Sequence, residues 1–273
     1  MVDFVHESSY TWPELLSLMA LLRSEQGCPW DREQTHKSIR QNLLEEAYEV
    51  CEAIDNDDQA LLCEELGDLL LQVVFHARMS QEAGSFTIAD VIDGLCRKLV
   101  TRHPHVFGDT RVGDSAEVLR RWEEIKGYTK GFNTVRDAMS AIAKSLPALM
   151  RAEKIQKKAQ KVGFDWPDVD GAWDKIAEET AELRQALRSG GDVEGELGDL
   201  LFSVVNVSRL IKIDPERALE KTCEKFIRRF GGMERAARSR GHTLNELSLS
   251  EMEELWEHEK GSDGPLPVDA PLA

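Results

Sequence analysis

Closely spaced acidic residues recur in this chain in a pattern that can hold a divalent metal ion. Glu46 and Glu49 are three positions apart, and Glu45 and Glu49 are four apart. On an α-helix such residues share one face, with Cβ atoms roughly 5–6 Å apart. Glu65 and Asp68 repeat the spacing a short distance later. The pattern predicts two acidic helical faces that can meet.

Acidic side chains gathered without a counterion repel one another, which raises their pKa values and destabilises the fold. A cation removes that conflict, and ligand sets made only of oxygen suit hard divalent ions. Mg²⁺ fits best because it keeps several waters and recruits the phosphates of its substrate, and Mn²⁺ is a possible substitute. Di-iron sites in helical bundles normally add Glu-x-x-His, which neither acidic segment contains.

The alternative is that these acids form only the solvated face of an amphipathic helix. Against it, the acids adjoin strongly apolar stretches, NLL before Glu45 and LLLQVVF after Asp68. They also recur later in the chain, as described below. Both features favour the metal site.

Apolar residues recur at three- and four-residue spacing almost throughout, which predicts an all-α fold. One helix is predicted to carry an apolar side from Leu43 to Ile54 and to end at Asp55–Asp58, and a second to carry one from Leu62 to Val74. Fifteen residues separate Glu49 from Glu65, enough for a helix end, a turn and an antiparallel return. The two acidic faces then belong to one α-hairpin.

The chain contains an internal repeat. EEAYE at 45–49 returns as EETAE at 178–182, ELGDLL at 65–70 returns at 196–201, C-x-K-x-x-x-R at 96–102 returns at 223–229, and WEEIKG at 122–127 returns as WEHEKG at 256–261. Four matches in the same order indicate a duplication. We predict one unit at 12–126, a connector at 127–150, a second unit at 151–261 and a disordered tail at 262–273.

Composition narrows the function. The chain has 273 residues, of which 41% are hydrophobic and 31% charged, with a formal net charge of -16. Such acidity argues against a nucleic-acid partner, which needs clustered Lys and Arg. The sequence has neither a signal-peptide pattern nor an apolar run of membrane-spanning length. Five cysteines without CxxC spacing, expected to be buried thiols, predict a reducing, cytoplasmic location.

EExxE followed by ExxD, preceded by GCPWDREQT and followed by RKLVTRHPHVFGD, resembles the MazG family. The resemblance covers nearly the whole chain, including the tandem arrangement and SLPALMRAEKIQKKAQKVGFDW. It implies two MazG-like helical bundles that hydrolyse nucleoside triphosphates with Mg²⁺, by water attack at the α-phosphorus and departure of pyrophosphate. It also implies a homodimer, and a reaction carried out mainly by the C-terminal copy.

The resemblance implies four metal ligands in each unit. In the N-terminal unit they are Glu46, Glu49, Glu65 and Asp68, and in the C-terminal unit they are Glu179, Glu182, Glu196 and Asp199. A carboxylate beside the ligands would accept the proton of the attacking water. Glu178 and its equivalent Glu45 are the candidates for this general base.

Basic and aromatic residues are candidates for nucleotide contacts. Lys225 and Arg229 lie one helical turn apart, as do their repeat equivalents Lys98 and Arg102, so that each pair can reach phosphate oxygens. The resemblance makes Trp256 a surface on which a base stacks. Lys175 and Lys126 are further phosphate candidates. A solvated basic face and a core tryptophan are the alternatives.

Two further interpretations concern other parts of the sequence and other functions. His103 and His105 do not predict zinc, because further Cys or His ligands at suitable spacing are missing and Pro104 favours a local turn. The alternative function is a helical regulatory or assembly module whose acidic faces bind a protein partner.

Overall fold

The computed structural model describes residues 8–108, 111, 113–114, 117–118, 121–122, 125, 127 and 131–262. Within these ranges every regular element is a helix, which confirms the predicted all-α fold. The chain divides into two compact units, Met1–Thr129 and Lys130–Ala273. The predicted arrangement of two tandem helical units is therefore also confirmed.

Six helices of the N-terminal unit have both ends within the described residues. They are α1 (Trp12–Leu22), α2 (Pro29–Glu33), α3 (Arg40–Asp55), α4 (Gln59–Glu82), α5 (Ile88–Arg102) and α6 (Pro104–Phe107). Met19 of α1 and Ile39, just before α3, pack against α4 side chains that recur on one face of that helix, namely Val74, Phe75 and Met79. This core fixes the position of α4.

Helices α3 and α4 form the predicted hairpin, and local sequence explains its sharp turn. Asp57 adopts a left-handed backbone conformation with φ of 53°. Asp58 caps α4 by accepting hydrogen bonds from the backbone N–H groups of Ala60 and Leu61 at 3.0 Å. A capping aspartate satisfies amide donors that the first helical turn leaves without partners. The turn thus begins α4 at a defined residue and fixes its register against α3.

Residues 131–262 of the C-terminal unit form six helices and one short 3₁₀ turn. The helices are α7 (Val135–Ser140), α8 (Ala148–Gln160), α9 (Val169–Ser189), α10 (Val193–Leu210), α11 (Pro215–Ser239) and α12 (Leu249–Ser262), with the 3₁₀ turn at Leu244–Glu246. Met233 and Ala237 of α11 pack with Leu255 of α12. Helices α9 and α10 form a second hairpin.

Glycine and aspartate form the tight turn of the second hairpin. Gly190 follows α9 in the left-handed conformation with φ of 72°, which glycine adopts without steric cost. Asp192 then caps α10 by accepting a hydrogen bond from Gly195 N–H at 2.9 Å. The two hairpins therefore use different turn residues to present the same acidic motifs.

A buried ion pair holds the loop before α9 to α10. Arg209 of α10 donates to Asp165 and to Asn206, with 3.0 Å between Arg209 Nη1 and Asp165 Oδ2. Their side chains are 4% and 16% exposed. The Arg209 hydrogen bond lowers the pKa of the Asp165 carboxyl. This ion pair links the segment entering α9 to the helix on the other side of the hairpin.

The domain boundaries taken from the sequence stay predictions. The division between units, at residues 129 and 130, falls inside the predicted connector 127–150. Helix α7 and the first residues of α8 also lie in that segment. The predicted disordered tail falls outside the described residues apart from Ser262.

One expectation about side-chain burial is wrong. Cys51, Cys63, Cys96 and Cys223 are exposed and Cys28 is partly buried, all as free thiols. Apolar neighbours in the sequence therefore did not ensure burial of these thiols. In the described part of the chain, no helix has both the length and the apolar composition needed to cross a membrane.

Candidate metal centre

The N-terminal acidic cluster lies between α3 and α4. Glu46, Glu49 and Glu65 each bring one carboxylate oxygen to a common point, and these three oxygens lie within 4.8 Å of one another. Asp68, one turn beyond Glu65, lies near enough for its charge to raise the pKa values of Glu46 and Glu65. The structure thus brings together the four acids predicted for this unit.

The C-terminal acidic cluster lies between α9 and α10 in the same way. Glu179, Glu196 and Asp199 each bring one carboxylate oxygen within 4.8 Å of the others. Burial first, and then the charges of Glu179 and Glu196, raise the pKa of Glu182. Glu182 is therefore close to the other predicted ligands, although it is not among the three oxygens that approach most closely.

Electrostatics in the N-terminal cluster favours a bound cation. Burial, followed by the negative charges of Asp68 and Glu49, raises the pKa of Glu46. Burial, followed by Glu49 and Asp68, does the same for Glu65. A divalent ion would remove this repulsion between neighbouring carboxylates. The residues present therefore fit a metal ion bound through oxygen.

Glu179 gives the second sign that a cation fits. The residue is 4% exposed, and its Oε2 atom is buried without a hydrogen-bond partner. A buried ionised oxygen without a partner is costly, and coordination of a metal ion is one of the few ways to compensate it. Four carboxylates and no nitrogen or sulfur donor match the preference of Mg²⁺ and Mn²⁺.

The two candidate general bases lie beside the clusters. Glu178 accepts a hydrogen bond from Lys175 Nζ at 2.9 Å, and its side chain is 56% exposed. Glu45 is exposed, with Gln41 Nε2 at 3.4 Å from its carboxylate. Neither contributes an oxygen to the groups of three described above.

The predicted nucleotide contacts form the same arginine–tryptophan pair in both units. Arg229 places its guanidinium 5.7 Å from the ring centre of Trp256, and Arg102 lies 5.3 Å from that of Trp122. Phe226 also contacts Trp256, with ring centres 5.0 Å apart. The internal duplication therefore repeats a side-chain contact as well as a sequence motif.

The remaining basic candidates take different positions. Lys98 and Arg102 line a surface depression of about 190 Å³ together with Arg97 and Thr101. Lys225 is half-buried on α11. Lys175 contacts the C-terminal cluster directly, with its Nζ 2.6 Å from Glu179 Oε1. Lys126 lies outside the described residues.

Comparison with known proteins identifies the family. A nucleoside triphosphate pyrophosphohydrolase/pyrophosphatase MazG from Thermotoga maritima is 47% identical over 257 residues, which cover 94% of this chain and 98% of that protein. A sequence model described as the MazG nucleotide pyrophosphohydrolase domain matches residues 34–107 and 172–231. This chain belongs to the MazG family. The resemblance drawn from the motifs, and the enzyme class it implied, are confirmed.

Two further matches are a curated relative and a solved structure. A nucleoside triphosphate pyrophosphohydrolase from Escherichia coli K12 is 47% identical over 251 residues, covering 90% of this chain and 95% of that protein. A crystal structure of a mazG-related protein from Thermotoga maritima aligns at 28% identity with 42% of this chain and 98% of its own, with a TM-score of 0.37. Each of the two MazG matches within the chain includes one acidic hairpin.

Sequence reasoning missed one residue of the MazG clusters. Gln72 is 6% exposed and donates a hydrogen bond from Nε2 to Glu46 Oε1 at 3.3 Å. Burial still raises the pKa of Glu46, and this hydrogen bond offsets part of that rise. Gln72 lies four residues after Asp68 on α4, so it shares the face that carries the acids. The four-residue spacing from Asp68 could have predicted that Gln72 lies beside the acids.

The two histidines of RHPHVF, His103 and His105, lie at the junction of α5 and α6. His103 Nδ1 lies 2.6 Å from the backbone oxygen of Leu99, at the end of α5. Its ring lies 5.7 Å from that of His105 at an angle of 54°. Among the described residues, the groups of three or more side chains that could hold a metal ion are the two acidic clusters. Pro104 begins α6, a helix of four residues that contains His105, where a local turn was predicted.

Proposed function

We propose that this chain hydrolyses nucleoside and deoxynucleoside triphosphates to the monophosphate and pyrophosphate, with Mg²⁺ held by its acidic clusters. The observation that carries the proposal is the convergence of three carboxylate oxygens within 4.8 Å on each hairpin. Family membership supplies the reaction class. Mn²⁺ has the same preference for oxygen and is the natural substitute.

Each cluster is proposed to act through its four acids. Glu46, Glu49, Glu65 and Asp68 hold the ion in one unit, and Glu179, Glu182, Glu196 and Asp199 hold it in the other. When bound, the metal supplies charge neutralisation for the triphosphate and a lowered pKa for the attacking water. Glu178, or Glu45 in the N-terminal unit, accepts the proton of that water.

The nucleotide is proposed to lie between the cluster and the basic face of its own unit. Lys175, Lys225 and Arg229 neutralise phosphate oxygens, and Trp256 offers an aromatic face to the base. Lys98, Arg102 and Lys126 have the equivalent role in the N-terminal unit. The 5.7 Å separation of Arg229 from the Trp256 ring supports a joint site for phosphate and base.

The C-terminal cluster is proposed as the main catalytic site. The structural support is Lys175, which puts a positive charge 2.6 Å from the Glu179 carboxylate, where phosphate oxygens would meet the metal. The unit boundaries 12–126 and 151–261 are kept as part of the proposal.

A homodimer in the cytoplasm completes the proposal. Exposed apolar side chains on both hairpins support a dimer interface that a single chain leaves uncovered. They are Leu66, Leu70 and Val73 on α4, and Leu197, Leu201 and Val204 on α10. Burial of such a surface against a second copy is favourable. Five free thiols support a reducing compartment.

Product analysis tests the reaction. We expect the purified full chain to convert members of a nucleotide panel to monophosphate and pyrophosphate in Mg²⁺, and to lose activity in excess chelator. Chromatography of the nucleotide and an assay for pyrophosphate, run with and without added pyrophosphatase, distinguish this cleavage from release of orthophosphate. A protein that binds partners but releases no pyrophosphate from any triphosphate would instead be the helical assembly module.

A further inference from the structure

In the C-terminal cluster, the ammonium group of Lys175 already pairs with Glu179, one of the proposed metal ligands. Lys175 Nζ lies 2.6 Å from Glu179 Oε1 and 2.9 Å from Glu178 Oε1. Hydrogen bonding to Glu179, and then to Glu178, raises the pKa of Lys175 above its usual value. The other Glu179 oxygen is the buried one without a partner. One oxygen of Glu179 is therefore paired with an ammonium group, and the other is buried without a hydrogen-bond partner.

The N-terminal cluster lacks this lysine. Aligning EEAYE with EETAE places Asn42 at the position of Lys175. The Glu46 carboxylate accepts a neutral amide N–H from Gln72 instead. In the ranges that the structure describes, no Lys or Arg forms an ion pair with Glu46, Glu49, Glu65 or Asp68. As far as the described residues go, the two clusters therefore share their acids and differ by the positive charge of Lys175.

This difference changes what a divalent ion meets on entry. At the C-terminal cluster the ion competes with the Lys175 ammonium for Glu179, and like charges a few ångströms apart oppose one another. The ammonium sits at the end of a flexible stem, so it can move to another anion. A triphosphate bound beside the metal provides that anion. At the N-terminal cluster the ion meets four acids and a neutral amide.

We propose that Lys175 couples metal binding to triphosphate binding at the C-terminal cluster, whereas the N-terminal cluster binds its ion without nucleotide. The inference rests on the proposed function for the identity of the anion. Its physical basis is the exchange of one ion pair for another: Lys175 leaves Glu179 for phosphate as the metal takes its place. Coupling of this kind is reciprocal, so the metal strengthens nucleotide binding by the same factor.

Metal affinity without nucleotide is the first test. In the full chain carrying Glu46→Gln and Glu65→Gln, Mn²⁺ binding followed by electron paramagnetic resonance reports the C-terminal cluster. Adding Lys175→Asn, which copies the residue of the other unit, is expected to tighten Mn²⁺ binding about tenfold, within the usual range of coupling between sites. Lys260→Asn is the matched control, because Lys260 forms an i,i+3 ion pair with Glu257 outside the cluster. It should leave the affinity unchanged.

The coupling itself is the second test. An α,β-methylene triphosphate analogue should raise Mn²⁺ affinity more in the Lys175 protein than in the Lys175→Asn protein. Complexation of Mn²⁺ by the analogue in solution is the same for both proteins, so their difference reports the residue. In the other unit, with Glu179→Gln silencing the C-terminal cluster, Asn42→Lys should weaken nucleotide-free Mn²⁺ binding about tenfold.

The possible outcomes separate this inference from the proposed function. If Lys175→Asn leaves nucleotide-free Mn²⁺ affinity unchanged, or the analogue raises affinity equally in both proteins, the coupling is overturned even in an active enzyme. If the protein releases no pyrophosphate from any triphosphate, the proposed function fails, yet the nucleotide-free measurement still decides the role of the lysine. Circular dichroism of each variant establishes that a lost signal is not a lost fold.

Discussion

Replacing Glu179 with Gln lowers kcat for triphosphate hydrolysis about 100-fold or more in our expectation. Glu179 is the buried member of its cluster, and its Oε2 atom has no hydrogen-bond partner. The amide keeps the volume of the side chain but removes the charge. A metal's stabilisation of the reacting phosphate is worth several kcal/mol, and about 1.4 kcal/mol corresponds to tenfold in rate. Steady-state assays at saturating Mg²⁺ measure the loss.

Two further variants interpret that result. Glu46→Gln makes the equivalent change in the N-terminal cluster, and we expect most of the turnover to remain. Arg184→Gln is the neutral control, since five positions along the helix place Arg184 on the far side of α9 from Glu179, where it is exposed. Equal losses from Glu179→Gln and Glu46→Gln would contradict a single main site and assign catalysis to both units.

Replacing Asp165 with Ala is expected to destabilise the C-terminal unit by about 3 kcal/mol. The substitution leaves the Arg209 guanidinium, whose side chain is 4% exposed, without its carboxylate. Breaking a buried pair by removing one partner typically costs about 3–5 kcal/mol, and the partial exposure of Asp165 places this pair at the lower end. Hydrogen exchange with mass spectrometry, which resolves local stability, should show loss of protection in α10 and not in α4.

The pH dependence of stability gives an internal check on that prediction. Arg209 lowers the pKa of Asp165 in the folded state, so the contribution of the pair is complete above the unfolded pKa of about 4 and is lost as pH falls through the folded pKa. Asp165→Ala should lack this acid-sensitive contribution. Lys260→Ala, which breaks an exposed pair with Glu257, should change stability by less than about 1 kcal/mol. An effect of Asp165→Ala as small as that of Lys260→Ala would show that the pair does not hold the loop.

The hairpins and their acids could be predicted from the sequence because periodicity and local capping agree. Apolar spacing defined α3 and α4, and the run of aspartates marked the turn that Asp57 and Asp58 make. Once both helices were antiparallel, three- and four-residue spacing placed Glu46 opposite Glu65. Helix periodicity and capping depend on residues close together in the chain, so a single sequence is enough to predict them.

Other features depend on contacts between distant positions or on competition among partners. The sequence contains Arg229 and Trp256 in separate motifs, and only the packing of α12 on α11 brings them together. Lys175 has three acids within one helical turn, so spacing did not show that it pairs with Glu178 and Glu179. Apolar spacing also did not show which part of the apolar side of α4 is covered, and Leu66 is 49% exposed.

The free thiols on α5 and α11 allow a distance between the two units to be measured with spin labels. Cys96 and Cys223 occupy equivalent places in the duplicated motif, and both are exposed. With the other three cysteines changed to serine, and with the labelled chain mixed into an excess of cysteine-free chains so that a homodimer carries one labelled copy, nitroxide labels at this pair form a single spin couple. Dipolar spectroscopy then reads the spacing of the two halves in solution, and how it changes when a nucleotide is added.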